Sequence, residues 1–165
     1  MEATGLEKGG IYRHFANKEE LAAEAFDYAW RFVSARRRQG LDQIPNQADR
    51  LKRYIANYFE STGFPGGCPL LNTAVDSDDG NPVLRDRVRA ALLNWQQMLA
   101  STLEDGIHAG VIRASIDPCA AANRIIATLE GATLLSRIEG SRATLHAALR
   151  DLDHYIESEL RTPSR

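Results

Sequence analysis

Apolar residues recur along this chain at the three- and four-residue steps that set side chains on one face of an α-helix. No stretch alternates as a half-buried strand would. Lys18 to about Gln39 carries Leu21, Ala25, Tyr28, Ala29 and Phe32 at helical spacing. Gln47 to Thr62 gathers Leu51, Tyr54, Ile55, Tyr58 and Phe59 on one side. A longer stripe runs through Leu84, Val88, Ala91, Leu92, Trp95, Leu99, Thr102, Leu103 and Ile107. The segment from Cys119 to Ile138 is rich in Ala, Ile and Leu, with small residues at Ala121, Ala122, Ala127, Gly131 and Ala132. Ser141 begins a last helix whose Leu145, Leu149, Leu152, Ile156 and Leu160 come close to a heptad seam. The pattern predicts an all-α fold.

Turn and cap residues divide the helices. Asn17, with Glu20 three positions on, has the spacing of a capping box, and Asn81-Pro82 and Asp117-Pro118 each pair a cap with a first-turn proline. Leu41 to Asn46, with Pro45, is a connector, and Gly63-Phe64-Pro65-Gly66-Gly67-Cys68-Pro69 breaks the pattern decisively. Gly131 inside a helix costs about 1 kcal/mol relative to alanine, so a close helix approach is expected there. Arg36-Arg37-Arg38 falls in a last helical turn, where cations suit the negative end of the macrodipole.

Composition narrows the function classes. The 165-residue chain is long enough for a sizeable core in one or two domains, and its net charge of −2 excludes a bulk polycation that would hold nucleic acid by charge alone. Cys68 and Cys119 make no CxxC or Cys/His ligand spacing. His108, His146 and His154 are scattered, the Gly66-Gly67 pair lacks the Lys of a P-loop, and Asp76, Asp78 and Asp79 lack EF-hand spacing. No catalytic residues, metal site or cofactor are therefore expected. With no signal peptide and no long apolar run, a cytoplasmic protein that does not enter a membrane is expected.

Two stretches carry chemistry. Cys68 lies at or near a helix N-terminus, where the local field is expected to lower a thiol pKa and favour thiolate; Cys119 is expected to pack on an apolar helix. At the other stretch, Gly5-Leu6 turns into a short helix whose Ile11 and Phe15 face a core. Lys8, Gly10 and Arg13 lie on its opposite face, with Tyr12 and Lys18 at the flank, an arrangement suited to the major groove.

The residues Gly5, Leu6, Glu7, Gly9, Ile11, Tyr12, His14, Phe15, Lys18, Glu19 and Leu21 resemble the helix-turn-helix signature of the TetR family of transcriptional regulators. Glu7 departs from it, because Ser or Thr usually caps the recognition helix there. In the family a first helix and most of a second precede this signature, whereas here only Met1-Glu2-Ala3-Thr4 do. The resemblance implies that roughly thirty residues of a three-helix unit are missing. It also implies a partial helix-turn-helix and connecting helix over residues 1–39, and a helical ligand-binding and dimerisation domain over 40–165.

The implied function is ligand-responsive repression. Lys8, Gly9 and Gly10 would face base edges of a double-stranded operator, Tyr12, His14 and Lys18 would hold phosphates, and Arg13 can do either. The last two helices would form a homodimer. A small-molecule effector would meet Phe59, Cys68, Asn72, Trp95, Met98, Leu99, Thr102 and Glu130. Gly67-Cys68-Pro69-Leu70-Leu71-Asn72 is similar to family members in which Gly-Cys begins a helix bordering the ligand cavity, which makes Cys68 a candidate redox sensor. The alternative is a dimeric helical sensor that no longer binds DNA because its helix-turn-helix is incomplete. A small helical enzyme using Cys68 as nucleophile is the remaining class.

Overall fold

A computed structural model describes residues 14–60, 67–76 and 81–163. They fold into six α-helices: α1 (Lys18–Arg37), α2 (Gln47–Phe59), α3 (Pro69–Asp76), α4 (Pro82–His108), α5 (Pro118–Glu139) and α6 (Ala143–Tyr155). A 3₁₀ turn at Leu41–Gln43 joins α1 to α2, and a π-helical turn at Ile156–Leu160 extends α6. The fold is all-α, with one isolated bridge between Ile112 and Arg161 among the described residues.

The predicted caps form. Asn17 Oδ1 accepts the Glu20 N–H at 2.8 Å, and Glu20 Oε2 accepts the Ala16 N–H at 2.5 Å, one residue upstream of the usual box. Asn81 Oδ1 accepts the Leu84 N–H, and Asp117 Oδ1 accepts those of Cys119 and Ala120. Asn46 caps α2 through the Ala48 and Asp49 N–H groups. Gly67 turns the chain into α3 at φ +84, a left-handed conformation that favours glycine; a Cβ there would also sit 3.3 Å from Arg137 Cδ.

The core lies between α2, α4, α5 and α6. Leu51, Ile55, Leu99, Leu103, Ile125, Leu129, Leu152, Ile156 and Leu160 are fully buried in it. The stripes expected for α2 and α4 point inward as the spacing predicts.

Four local expectations are corrected. On α1, Tyr28 is 61% exposed and Ala25 and Phe32 face outward, while Ala23, Phe26, Ala29, Val33 and Arg37 are buried. The helix carries two apolar stripes, and the neighbouring helices pack against the one that holds Phe26, Trp30 and Val33. On α6, Leu152 with Ile156 and Leu160 beyond it is buried within the chain, and Leu145 and Leu149 are half-buried, so the heptad-like seam packs largely internally. The exposed apolar side belongs to α5 instead, at Leu134, Leu135 and Ile138, the last 74% exposed. Gly131 lies on that side, and beyond the backbone of its own helix nothing among the described residues comes within 4 Å of where its Cβ would be, so no close helix approach among them explains it. Finally, Cys119 is exposed, because the buried stripe of α5 begins two positions later at Ala121.

Candidate functional site

The buried stripe of α1 does not end on an apolar residue. Phe26, Trp30, Val33 and Arg37 follow one another at steps of four, three and four, which puts Arg37 on the inward face of the last turn. The residue is 3% exposed, while Arg36 and Arg38 on either side lie in solvent. The reading of all three as solvated dipole partners is therefore corrected for Arg37. Its Cζ lies 4.0 Å from the centre of the Tyr58 ring, 5.4 Å from that of Trp95 and 5.9 Å from that of Trp30. Asn57 fixes the helix end by donating to the Arg37 and Gln39 carbonyls, each at 3.0 Å.

Ring faces pack against the guanidinium. Among the described residues, Nε and Nη1 have no hydrogen-bond partner, although Cys68 is close. Burial works against the charge, but the neighbouring Cys68, Tyr58 and Tyr54 groups outweigh it and raise the pKa. Arg37 is thus a buried cation without an ion pair among the described residues, an arrangement that is costly unless something completes it.

Cys68 and Glu130 face this cation. Cys68 precedes Pro69 at the start of α3, as expected, and its carbonyl accepts the Asn72 N–H at 3.2 Å. It is 1% exposed, and its Sγ–H donates to Glu130 Oε1 at 2.9 Å. Burial pushes the thiol pKa up, Arg37 pulls it down less strongly, and Glu130 adds to the rise. The lowered thiol expected at a helix start is therefore reversed: desolvation overrides the helix field, and Cys68 is a protonated hydrogen-bond donor. Burial also raises the Glu130 pKa against the opposing pull of Cys68 and Arg37, and Glu130 Oε2 has no partner among the described residues. Above them Tyr58 stacks on Trp95 with centroids 6.1 Å apart and shares a 3.1 Å hydrogen bond with Thr133 Oγ1.

The structure thus gathers Cys68, Glu130 and Trp95 around Arg37. Phe59 is buried edge-on to Tyr58, and Leu99 is a core residue. Met98 is half-buried; Thr102 donates to the Met98 carbonyl of its own helix at 3.0 Å, and Asn72 Oδ1 accepts from Arg137 Nη1 at 2.6 Å. His14 and Lys18 are exposed where the chain enters α1, and Lys8, Gly9, Gly10, Tyr12 and Arg13 lie outside the described residues. Sequence reasoning missed Arg37 and Trp30. The signal for both was the Phe26, Trp30, Val33 spacing, which continues onto Arg37.

Beside the cluster a cleft of about 370 Å³ opens between α1, α2 and α4. Trp30, Tyr54, Trp95 and Met98 form its walls, with Arg31, Ser34, Arg38 and Asn94 around them. Trp30 and Trp95, whose centroids are 5.7 Å apart, separate the cleft from Arg37. Among the described residues no helix is long and apolar enough to cross a membrane, and no three His, Cys, Asp or Glu side chains gather as metal ligands would.

Comparison with known proteins agrees with this architecture. The family model described as "Tetracyclin repressor-like, C-terminal domain" matches residues 46–152, and that for "Bacterial regulatory proteins, tetR family" matches residues 1–25. A TetR transcriptional regulator from Chloroflexus aurantiacus is 43% identical and superposes with a TM-score of 0.91, over 99% of this chain and 84% of that one. An uncharacterized HTH-type transcriptional regulator of Mycobacterium tuberculosis is 27% identical over 100% of this chain and 85% of its own length. The HTH-type transcriptional repressor DhaR of a Mycobacterium species is 27% identical over 87% of this chain and 72% of its own.

Proposed function

Because the chain belongs to the TetR family and is a transcriptional regulator, we propose that it is a repressor released from its operator by a small molecule taken up among its helices. The observation that carries this reading is Arg37, a buried cation with unmet donors at one end of α1. The other end of α1 begins at Lys18, directly after the segment that resembles a recognition helix. Twenty residues of helix span about 30 Å, so a change at Arg37 moves the recognition segment as the far end of a lever. A ligand shifts the equilibrium only if it prefers one position of that lever, and one bound against α1 beside Arg37 can do so.

In this reading residues 1–39 form a partial helix-turn-helix DNA-binding unit with its connecting helix, and 40–165 form the regulatory and dimerisation part. Lys8, Gly9 and Gly10 read base edges, Tyr12, His14 and Lys18 hold phosphates, and Arg13 serves either role. Two copies join through α5 and α6, the exposed Leu134, Leu135 and Ile138 of α5 supplying the apolar contact. The operator is then a near-palindrome, and the regulator acts in the cytoplasm, without turnover. The relative described as a repressor supports the direction of control. The protonated, buried Cys68 favours the small-molecule route over thiol modification, which would need the core to open.

A mobility-shift titration against the DNA flanking its own gene, with and without a small-molecule panel, tests the proposal. Sequence-specific, salt-dependent binding that one compound class abolishes is the expected result. Specific binding that no compound moves, or compounds that bind the protein without changing its hold on DNA, would overturn it.

A further inference from the structure

The cleft beside Arg37 has a one-sided chemistry. Two guanidiniums, those of Arg31 and Arg38, line it, and that of Arg37 packs against its Trp30 and Trp95 wall. No Asp or Glu is among the described residues that line it. Arg31 and Arg38 are tied to α1 through Nε alone, to the Asp27 and Ser34 carbonyls, each at 3.3 Å. Neither forms an ion pair with an acid among the described residues. Arg31, Ser34 and Arg38 follow one another at steps of three and four, so they share one face of the helix.

Two further donors in the wall are unmet. Trp95, 3% exposed, has Nε1 near the Tyr54 hydroxyl but without a hydrogen bond of normal geometry, and Ser34 Oγ has no partner among the described residues. The remaining surface is largely flat and polarizable, from two indole rings, Tyr54 and Met98, with the Asn94 amide at its edge. A volume of about 370 Å³ falls at the small end of the range for small-molecule pockets, enough for one or two rings with a short acidic arm.

We propose that this cleft binds an aromatic carboxylate, its ring against Trp30, Trp95 and Met98 and its carboxylate on the Arg31, Ser34 and Arg38 face of α1. The planar guanidinium fork suits a carboxylate better than any neutral acceptor, and the Arg37 charge behind the rings disfavours a cation. This inference rests on the reading of the helical body as the part that senses an effector.

The chain contains two tryptophans, and both line the cleft, so tryptophan emission reports on the site directly. The full chain is titrated with benzoate, phenylacetate, phenylpropionate and trans-cinnamate, then with the amide and the amine that match the tightest acid. At least one acid should give a saturable change with Kd below about 1 mM. The amide should bind about ten-fold more weakly or worse, as should the acid to an Arg31→Gln, Arg38→Gln double variant whose melting temperature is unchanged. The inference is overturned if no acid reaches that affinity, if the amide or amine binds as tightly, or if the double variant binds as tightly as the parent. An acid that binds without releasing operator DNA leaves the cleft assigned and sinks the release reading. Release by another compound class, with no acid bound, does the reverse.

Discussion

Gly106 sits in the last turn of α4, where replacing glycine by alanine ordinarily stabilises a helix by about 1 kcal/mol. The surroundings predict the opposite sign. A Cβ at this position would lie 2.4 Å from Ile112 Cγ1, 3.2 Å from Ile112 Cβ and 3.1 Å from Gln47 Cβ. Carbon contacts are comfortable at about 3.5 to 4.0 Å, so the overlap with Ile112 exceeds 1 Å. Ile112 has nowhere to go. It is 1% exposed, its N–H donates to the Gly106 carbonyl at 3.0 Å, and it bridges to Arg161 at the far end of the chain. Overpacking of this kind costs about 1–3 kcal/mol, and so short a contact belongs at the upper end. Against the helix gain, Gly106→Ala should lose about 2 kcal/mol net, lowering the melting temperature by about 4–8 °C for a chain of this size. Urea denaturation at fixed protein concentration measures this, because any oligomer makes stability depend on concentration. Ile112→Ala opens the space, so in that background Gly106→Ala should be neutral or stabilising, a coupling of about 2 kcal/mol. A Gly106→Ala protein as stable as the parent, or no coupling to Ile112, would refute the packing argument.

Other predictions concern the cluster and the proposed two-fold face. Glu130 has a pKa raised by burial, so its contribution to stability is complete below the unfolded value of about 4.3 and is lost as pH rises through the folded value. Glu130→Gln should therefore gain stability relative to the parent as pH goes from acid to neutral; a difference that is flat with pH would contradict this. Glu157, partly exposed, has its pKa lowered first by its hydrogen bond from Lys52 and then by Arg161. Its stabilisation is present above the unfolded value and lost as pH falls through the lower folded one. Lys52→Met should blunt that acid sensitivity by a few tenths of a kcal/mol, as suits an exposed pair. Thiol labelling of the native protein should modify Cys119 at least about ten-fold faster than Cys68, since one is exposed and the other a buried thiol; equal rates would mean that the core opens readily. Leu134→Glu with Ile138→Glu should shift the protein from dimer to monomer by sedimentation while leaving its helical circular dichroism intact. A dimer that survives both charges would remove α5 from the interface.

Much of the architecture is written in local chemistry. Helix starts at Lys18, Pro82 and Pro118 follow from Asn17, Asn81 and Asp117, because a short polar side chain bonds the first free N–H groups whatever the rest of the fold does. The inward faces of α2 and α4 were legible for a related reason: each helix has a single broad apolar stripe and one way to bury it. The resemblance at residues 5–21 likewise rested on contiguous residues.

What the sequence left open depended on competition between elements. Two stripes on α1 are both plausible until α2 and α4 pack against one of them, and the winning stripe carries Arg37 inward with it. The same choice turns three adjacent arginines into two solvated cations and one buried one. Cys68 shows the limit in a single residue: its position at a helix start is local and was predicted correctly, but its protonation is not. The helix field acts through one turn, whereas desolvation depends on how much of the remaining chain closes over the sulfur, and Glu130, sixty-two positions away, arrives only when α5 packs. Short-range hydrogen bonding and periodicity determined the helices; burial, which sums over distant parts of the chain, decided which charges they hide.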